Sequence, residues 1–185
     1  LAERDASRLA MLQAGRSPIH EPGLEPLLQE CLRDGSLVCV ESAVTAVADA
    51  HVTFLCVPTP QDDDGSADLS YVVSTAHEIS EALQPGSIVV NKSTVPVGTA
   101  QLVERTLGRS DIAVVSNPEF LREGTAVADS FHPDRVVVGS HDVAKGREVS
   151  DLFASTGAAV VLTTTATAET IKYASNAFLA TKVSF

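Results

Sequence analysis

"SIVVNKSTVPVGT", residues 87–99, opens as an apolar run and ends as a Pro-stiffened polar segment. The run is continuous, not alternating. A strand covered on one face alternates apolar and polar residues, whereas a strand covered on both faces does not. Five more runs of the same kind occur: "LVCV" (37–40), "VTFLCV" (52–57), "IAVVS" (112–116), "RVVVG" (135–139) and "AAVVLT" (158–163). Helical patterns lie between them. "DLSYVVSTAHEISEAL" (68–83) puts Leu69, Val72, Val73, Ala76, Ile79 and Leu83 on one stripe, with Asp68 as N-cap and Gly86 as a stop after Pro85. Residues 24–33 read as a second helix ending near Gly35, and residues 142–154 as a third. Strand alternating with helix at this spacing means a doubly wound, mostly parallel α/β sheet.

In such sheets ligands bind outside the carboxyl ends of the strands. Three successive strand ends carry Pro-containing segments: "VPTPQ" (57–61), "NKSTVPVGT" (91–99) and "SNPEFLREG" (116–124). Proline limits backbone freedom and lowers the entropic cost of holding a site in shape. The third segment places Glu119, Arg122 and Glu123 around the apolar pair Phe120 and Leu121. The last stretch, residues 167–185, reads as a helix capped by Thr167, with Ile171, Ala174, Phe178 and Val183 as an apolar face. Lys172 and Asn176 are four residues apart and so project from one side of it. The strand tips and this helix face are expected to converge on one pocket.

Composition sets outer bounds. The 185 residues are 44% apolar and 20% charged, enough for one domain with a true core. A net charge of −11 argues against non-specific nucleic-acid binding but leaves room for a phosphate-bearing ligand held locally. No apolar run has the length of a membrane span, and no signal-peptide pattern is present. Cys31, Cys39 and Cys56 form no C-x-x-C pair and no zinc pattern. They read as buried, reduced thiols of a cytoplasmic protein, without a metal. The chain opens on Leu1 and closes on Phe185 inside a helical pattern, so both ends are expected to be cuts.

Several stretches together resemble the UDP-glucose 6-dehydrogenase family. They are "SPIHEPGLEPLL" (17–28), "VPTP" (57–60), "NKSTVPVGT" (91–99), "SNPEFLREGTAVADSFHPDRVVVG" (116–139) and "ETIKYASNAFLATKVSF" (169–185), in the family's order over nearly the whole chain. "PDRVVVG" resembles the UDP-glucose enzymes more than those acting on GDP-mannose or UDP-N-acetylmannosamine. The resemblance implies a Rossmann-type NAD-binding domain over residues 1–165 that lacks its first strand. Residues 166–185 would begin a long linking and dimerisation helix, and the UDP-binding domain would lie outside the chain. It implies oxidation of the C6 alcohol of UDP-glucose to a carboxylate, with two NAD and a covalent thiohemiacetal and thioester on a cysteine that none of the three here matches. The chain alone is then expected to be inactive, and the full enzyme a homodimer.

By the same resemblance, Glu3 and Arg8 lie at the adenosine of NAD, and Val57, Thr59 and Thr94 toward its nicotinamide. An acid after a strand is what a ribose diol requires, and Asp5 is the rival to Glu3. Thr94 would also help hold a catalytic water. Glu119, Phe120, Leu121, Arg122 and Glu123 would cover the sugar nucleotide. Glu123, which also borders the cofactor, would act as general base, its pKa raised beside Phe120 and Leu121. Lys172 and Asn176 would contact the reacting centre, Lys172 stabilising oxyanion charge. Two other readings stand beside this one: a non-catalytic piece that associates through its last helix, or an NAD-dependent dehydrogenase for another substrate.

Overall fold

The computed structural model describes residues 1–185. Five strands form one sheet in chain order: β1 (Val52–Leu55), β2 (Ile88–Asn91), β3 (Ala113–Ser116), β4 (Arg135–Ser140) and β5 (Ala159–Thr163). All neighbours are parallel except β3 and β4, which run antiparallel. The helices are α1 (Ala6–Gln13), α2 (Leu24–Asp34), α3 (Ala43–Val47), α4 (Ser70–Ile79), α5 (Thr99–Leu107), α6 (Ala126–Phe131), α7 (Val143–Asp151) and α8 (Thr165–Ser184).

The continuous apolar runs of β2, β3 and β4 are explained by two cores, whereas the run of β5, expected to be covered on both faces, lies at the sheet edge with Val160, Val161 and Leu162 exposed. Val89 and Val114 face Val72, Ala76 and Ile79 of α4 and Val103 and Leu107 of α5. Their neighbours Ile88, Val90 and Val115 face the other way, with Val136 and Val138 of β4 and Val149 of α7. All four residues of β2 and the last three of β3 are therefore buried, at about 1.5–3 kcal/mol per large side chain.

Three expectations shift. The run 37–40 contributes only Val40, in an isolated parallel bridge to Ala2, and no ladder bond joins that pair to the five-stranded sheet. Cys39 is buried, but Cys31 is half-buried and Cys56, just past β1, is exposed. The terminal helix starts two residues earlier than read, because Thr164 is its cap and accepts from the Thr167 amide at 3.2 Å.

The antiparallel β3–β4 pair matters most for function. Residues 117–134 leave the carboxyl end of β3 and return to start β4 at that same edge, with only the six-residue α6 between. A parallel return would need a crossover over a sheet face. Here the excursion stays on the ligand edge.

The first turn of α8 is seated on β4 at Gly139. A Cβ there would lie 2.7 Å from the Ala168 Cβ and 2.8 Å from the Thr165 Cα. Gly139→Ala is expected to cost at least about 1–3 kcal/mol by overpacking, read by urea unfolding. Beyond that turn α8 leaves the core. Of the expected apolar face Ile171 is half-buried, whereas Ala174 is exposed and Phe178 and Val183 are 70% and 81% exposed.

Candidate active site

A cleft of about 740 Å³ opens at the carboxyl edge, walled by the 117–136 excursion, α8, Lys92 and the rings of Phe54 and Phe153. Lys92 follows β2 directly. Its Nζ lies 2.8 Å from Glu119 Oε2 and donates to Asn117 Oδ1 at 3.1 Å. Asn117 is itself fixed, its amide donating to the Val137 carbonyl at 2.8 Å. Glu119 Oε1 accepts from the Phe120 and Leu121 amides at 2.6 and 2.9 Å, so the carboxylate cannot swing away from the lysine.

Phe120 lies between two cations, Arg135 at 4.7 Å and Lys172 at 5.1 Å from the ring centre. Lys172 has no ion-pair partner. Burial pushes its pKa below the ordinary lysine value; Glu119 opposes that shift and Lys92 adds to it. The charges of Lys92, Glu119 and Lys172 therefore act on one another. This is a local cationic pocket in an acidic chain, suited to an anionic or oxyanion-forming ligand.

The excursion is pinned from two sides. Arg122 reaches Asp129 through Nη2 at 2.7 Å and Nε at 3.1 Å, and Thr125 Oγ1 donates to the same carboxylate. Glu21, from the segment before α2, accepts from the Gly124 and Ala126 amides at 2.9 and 2.6 Å. The Arg122 guanidinium holds the Asp129 carboxyl well below the usual range. For a carboxylate with depressed folded pKa, stability is present above the unfolded value, about 3.9, and is lost as pH falls through the folded value. The Arg122 amide, which donates to Asp129 Oδ2 at 3.1 Å, should keep its NMR shift down to about pH 4 and move only below that. In Asp129→Asn it should already stand at the low-pH position at neutral pH.

The residues singled out from sequence divide into groups. Glu119, Phe120, Leu121, Arg122, Lys172 and Asn176 all line the cleft. Glu123 does not; it sits on the exposed turn leading into α6. Val57, Thr59 and Thr94 lie at the neighbouring strand ends outside the cleft wall. Thr59 Oγ1 donates to the Thr94 carbonyl at 2.9 Å, and Ser93 Oγ to the Val57 carbonyl at 2.7 Å, which locks those two loops together. Lys92, two residues before Thr94, joins the two groups. Glu3 and Arg8 stand apart, around the start of α1. Asp5 is engaged there as the α1 N-cap, accepting from the Arg8 amide at 2.9 Å. Glu3 accepts one bond, from the Asp5 amide through Oε1, which leaves Oε2 to accept from a ligand. A carboxylate oxygen so presented at a strand end fits a ribose hydroxyl.

Lys92, Asn117 and Glu21 were not singled out from the sequence. For Lys92 a signal existed: a lysine directly after a fully buried strand needs a partner. For Glu21 there was none, since the amides it caps are more than a hundred residues away.

Residues 2–156 match the model of the UDP-glucose/GDP-mannose dehydrogenase family, NAD binding domain. The chain belongs to this family. It is 47% identical over 194 residues to the UDP-glucose 6-dehydrogenase of Pseudomonas aeruginosa, covering 99% of this chain and 43% of that protein. A UDP-glucose 6-dehydrogenase of Bacillus subtilis is 43% identical, with 98% of this chain and 42% of that protein covered. Among solved structures, a UDP-glucose dehydrogenase from Pyrobaculum islandicum superposes with a TM-score of 0.94 at 43% identity, over 98% of this chain and 44% of that one. A GDP-mannose dehydrogenase from Pseudomonas aeruginosa superposes with a TM-score of 0.92 at 35% identity, over 98% and 44%. The chain thus spans less than half the length of these relatives. It is a Rossmann-like domain with NAD as its cofactor. No helix is long and apolar enough to cross a membrane.

Proposed function

We propose that this chain is the cofactor domain and one wall of the active site of an NAD-dependent UDP-glucose 6-dehydrogenase that makes UDP-glucuronate. The observation that carries the reading is the cleft in which Lys172 faces the Lys92–Glu119 pair at the carboxyl edge of the sheet. Bound NAD would supply the hydride acceptor. The chain's own residues bind, orient and supply charge. Glu3 receives a ribose hydroxyl, with Arg8 beside it, and Val57, Thr59 and Thr94 shape the strand ends toward the nicotinamide, Thr94 also holding a water. Phe120, Leu121 and Arg122 cover the sugar. Lys172, with Asn176 one turn on, stabilises negative charge on the oxidised carbon's oxygen, where a water-poor cleft makes a cation most effective.

Two carboxylates compete for the general-base role. Glu123 is the family-derived candidate; Glu119 is the one whose oxygens stand inside the cleft. We assign the role to Glu119, because a base must lie within hydrogen-bond reach of the water it activates. The covalent cysteine is assigned to none of Cys31, Cys39 or Cys56. The homodimer, with α8 at its seam, belongs to the same proposal. So does a cytoplasmic setting, which the three free thiols suit.

The test is NAD reduction by the full-length protein with UDP-glucose, GDP-mannose and UDP-N-acetylmannosamine side by side. UDP-glucose is expected to show the highest kcat/KM, with about two NADH formed per sugar. Preference for another sugar nucleotide would move the substrate assignment, and no turnover with any of them would end the enzymatic reading.

A further inference from the structure

One buried carboxylate has no part in the chemistry above. Glu169 lies in the second turn of α8 and is 3% exposed. It has no cationic partner. Its Oε2 accepts from the Gly98 amide at 2.7 Å, and its Oε1 from the Ala100 amide at 2.8 Å and the Ser116 hydroxyl at 3.2 Å. Gly98 and Ala100 are at the start of α5. The N-cap of that helix is Gly98 itself, at φ +97°, so it has no side chain to satisfy the first amides. A carboxylate from a helix some seventy residues later does this instead, at the end of the macrodipole where negative charge is favoured.

The three segments tied here are those that carry the site. Lys92 and Thr94 lie just before Gly98. Asn117 and Glu119 follow Ser116 directly. Lys172 is three residues beyond Glu169, on the next turn of the same helix. We propose that Glu169 is a positioning residue for the reaction: its carboxylate locks α8 to the β2–α5 segment and to the end of β3, and so sets Lys172 against the Lys92–Glu119 pair. This rests on the proposed dehydrogenase reading for its kinetic consequence, but not for its structural one.

A side chain that was merely structural would cost stability and nothing else. Glu169→Gln keeps the volume but turns an NH2 toward amides that also donate, so at least one of the three bonds is lost. In the full-length protein it is expected to remove hydrogen-exchange protection at the Gly98 or the Ala100 amide, whichever faces the new NH2. It should lower kcat by about tenfold or more, while KM for NAD stays within about twofold, since small misplacement of a catalytic group acts on the chemical step. The Lys172 ε-carbon titration, followed by NMR, should move upward as the ammonium gains solvent. Val103→Ala, in the α5 core and not among the groups that Glu169 bonds, serves as the control: it should lower the melting temperature and leave kcat unchanged.

The proposal is overturned if Glu169→Gln loses the amide protection yet keeps kcat and the Lys172 titration, or if Val103→Ala at equal loss of stability loses as much kcat. If the wild-type protein turns over no nucleotide sugar, the functional reading has failed by itself, and the Lys172 titration still decides whether Glu169 positions the lysine. Should Glu169→Gln not fold, Ser116→Ala removes one of the three bonds and is expected to shift the same readouts less, in the same direction; no shift there would refute the role.

Discussion

Lys172→Ala in the full-length protein is expected to lower kcat with UDP-glucose about a hundredfold or more, the scale of a lost oxyanion contact. KM for NAD should barely move, because the lysine lines the cleft, whereas Glu3 and Arg8 stand apart from it. The pH profile adds a signed check. In the proposed role Lys172 works as the cation, so activity should hold while it is protonated and fall as pH rises through its pKa. Burial lowers that pKa, so the alkaline limb should arrive below the ordinary lysine value of about 10.4. A kcat within a few-fold of wild type in Lys172→Ala would remove the electrostatic role.

Glu119→Gln should be comparably severe, about a hundredfold in kcat, because it removes both a base and the partner of Lys92. It should also move the alkaline limb down further, since Glu119 is the group that raises the Lys172 pKa. Glu123→Gln is the matching experiment. On the exposed turn before α6 it should cost less than tenfold. The opposite ranking, with Glu123→Gln the more damaging, would return the base role to Glu123 and imply that the excursion moves when substrate binds.

The sheet was readable because burial on both faces leaves a linear trace. Runs such as "IVVN" and "AVVS" can be continuous only where consecutive side chains enter two different cores, and both cores are present. Helices with a wide apolar stripe, α2 and α4, were found for the same reason. Short or weakly striped ones were not: α1, α3 and α6 bury one residue among them, Val47. α5 was missed although it buries Thr99, Ala100, Val103 and Leu107, and a glycine N-cap does not explain it, since α2 starts after one too. The run 37–40 carried the strand composition but pairs through a single bridge. The turn of the chain between β3 and β4 was also not legible, as apolarity carries no direction.

At the site, what could be read were residues whose types and local spacing suffice: the Pro-stiffened strand ends, the Glu119–Arg122 segment, and Lys172 with Asn176 four residues on. Which carboxylate stands in the cleft could not be read, since Glu119 and Glu123 differ by one turn of irregular backbone and only folding turned one inward and the other to solvent. Glu169 is the clearest case. In the chain it is one acid near the start of a helix, where such residues are commonplace. Its role depends on two amides about seventy residues earlier and a hydroxyl fifty-three residues earlier. Periodicity and composition are local quantities and mark the strands buried on both faces and the helices with a wide apolar stripe. The pairing of a charge with distant donors is a property of three-dimensional proximity, and no local pattern encodes it.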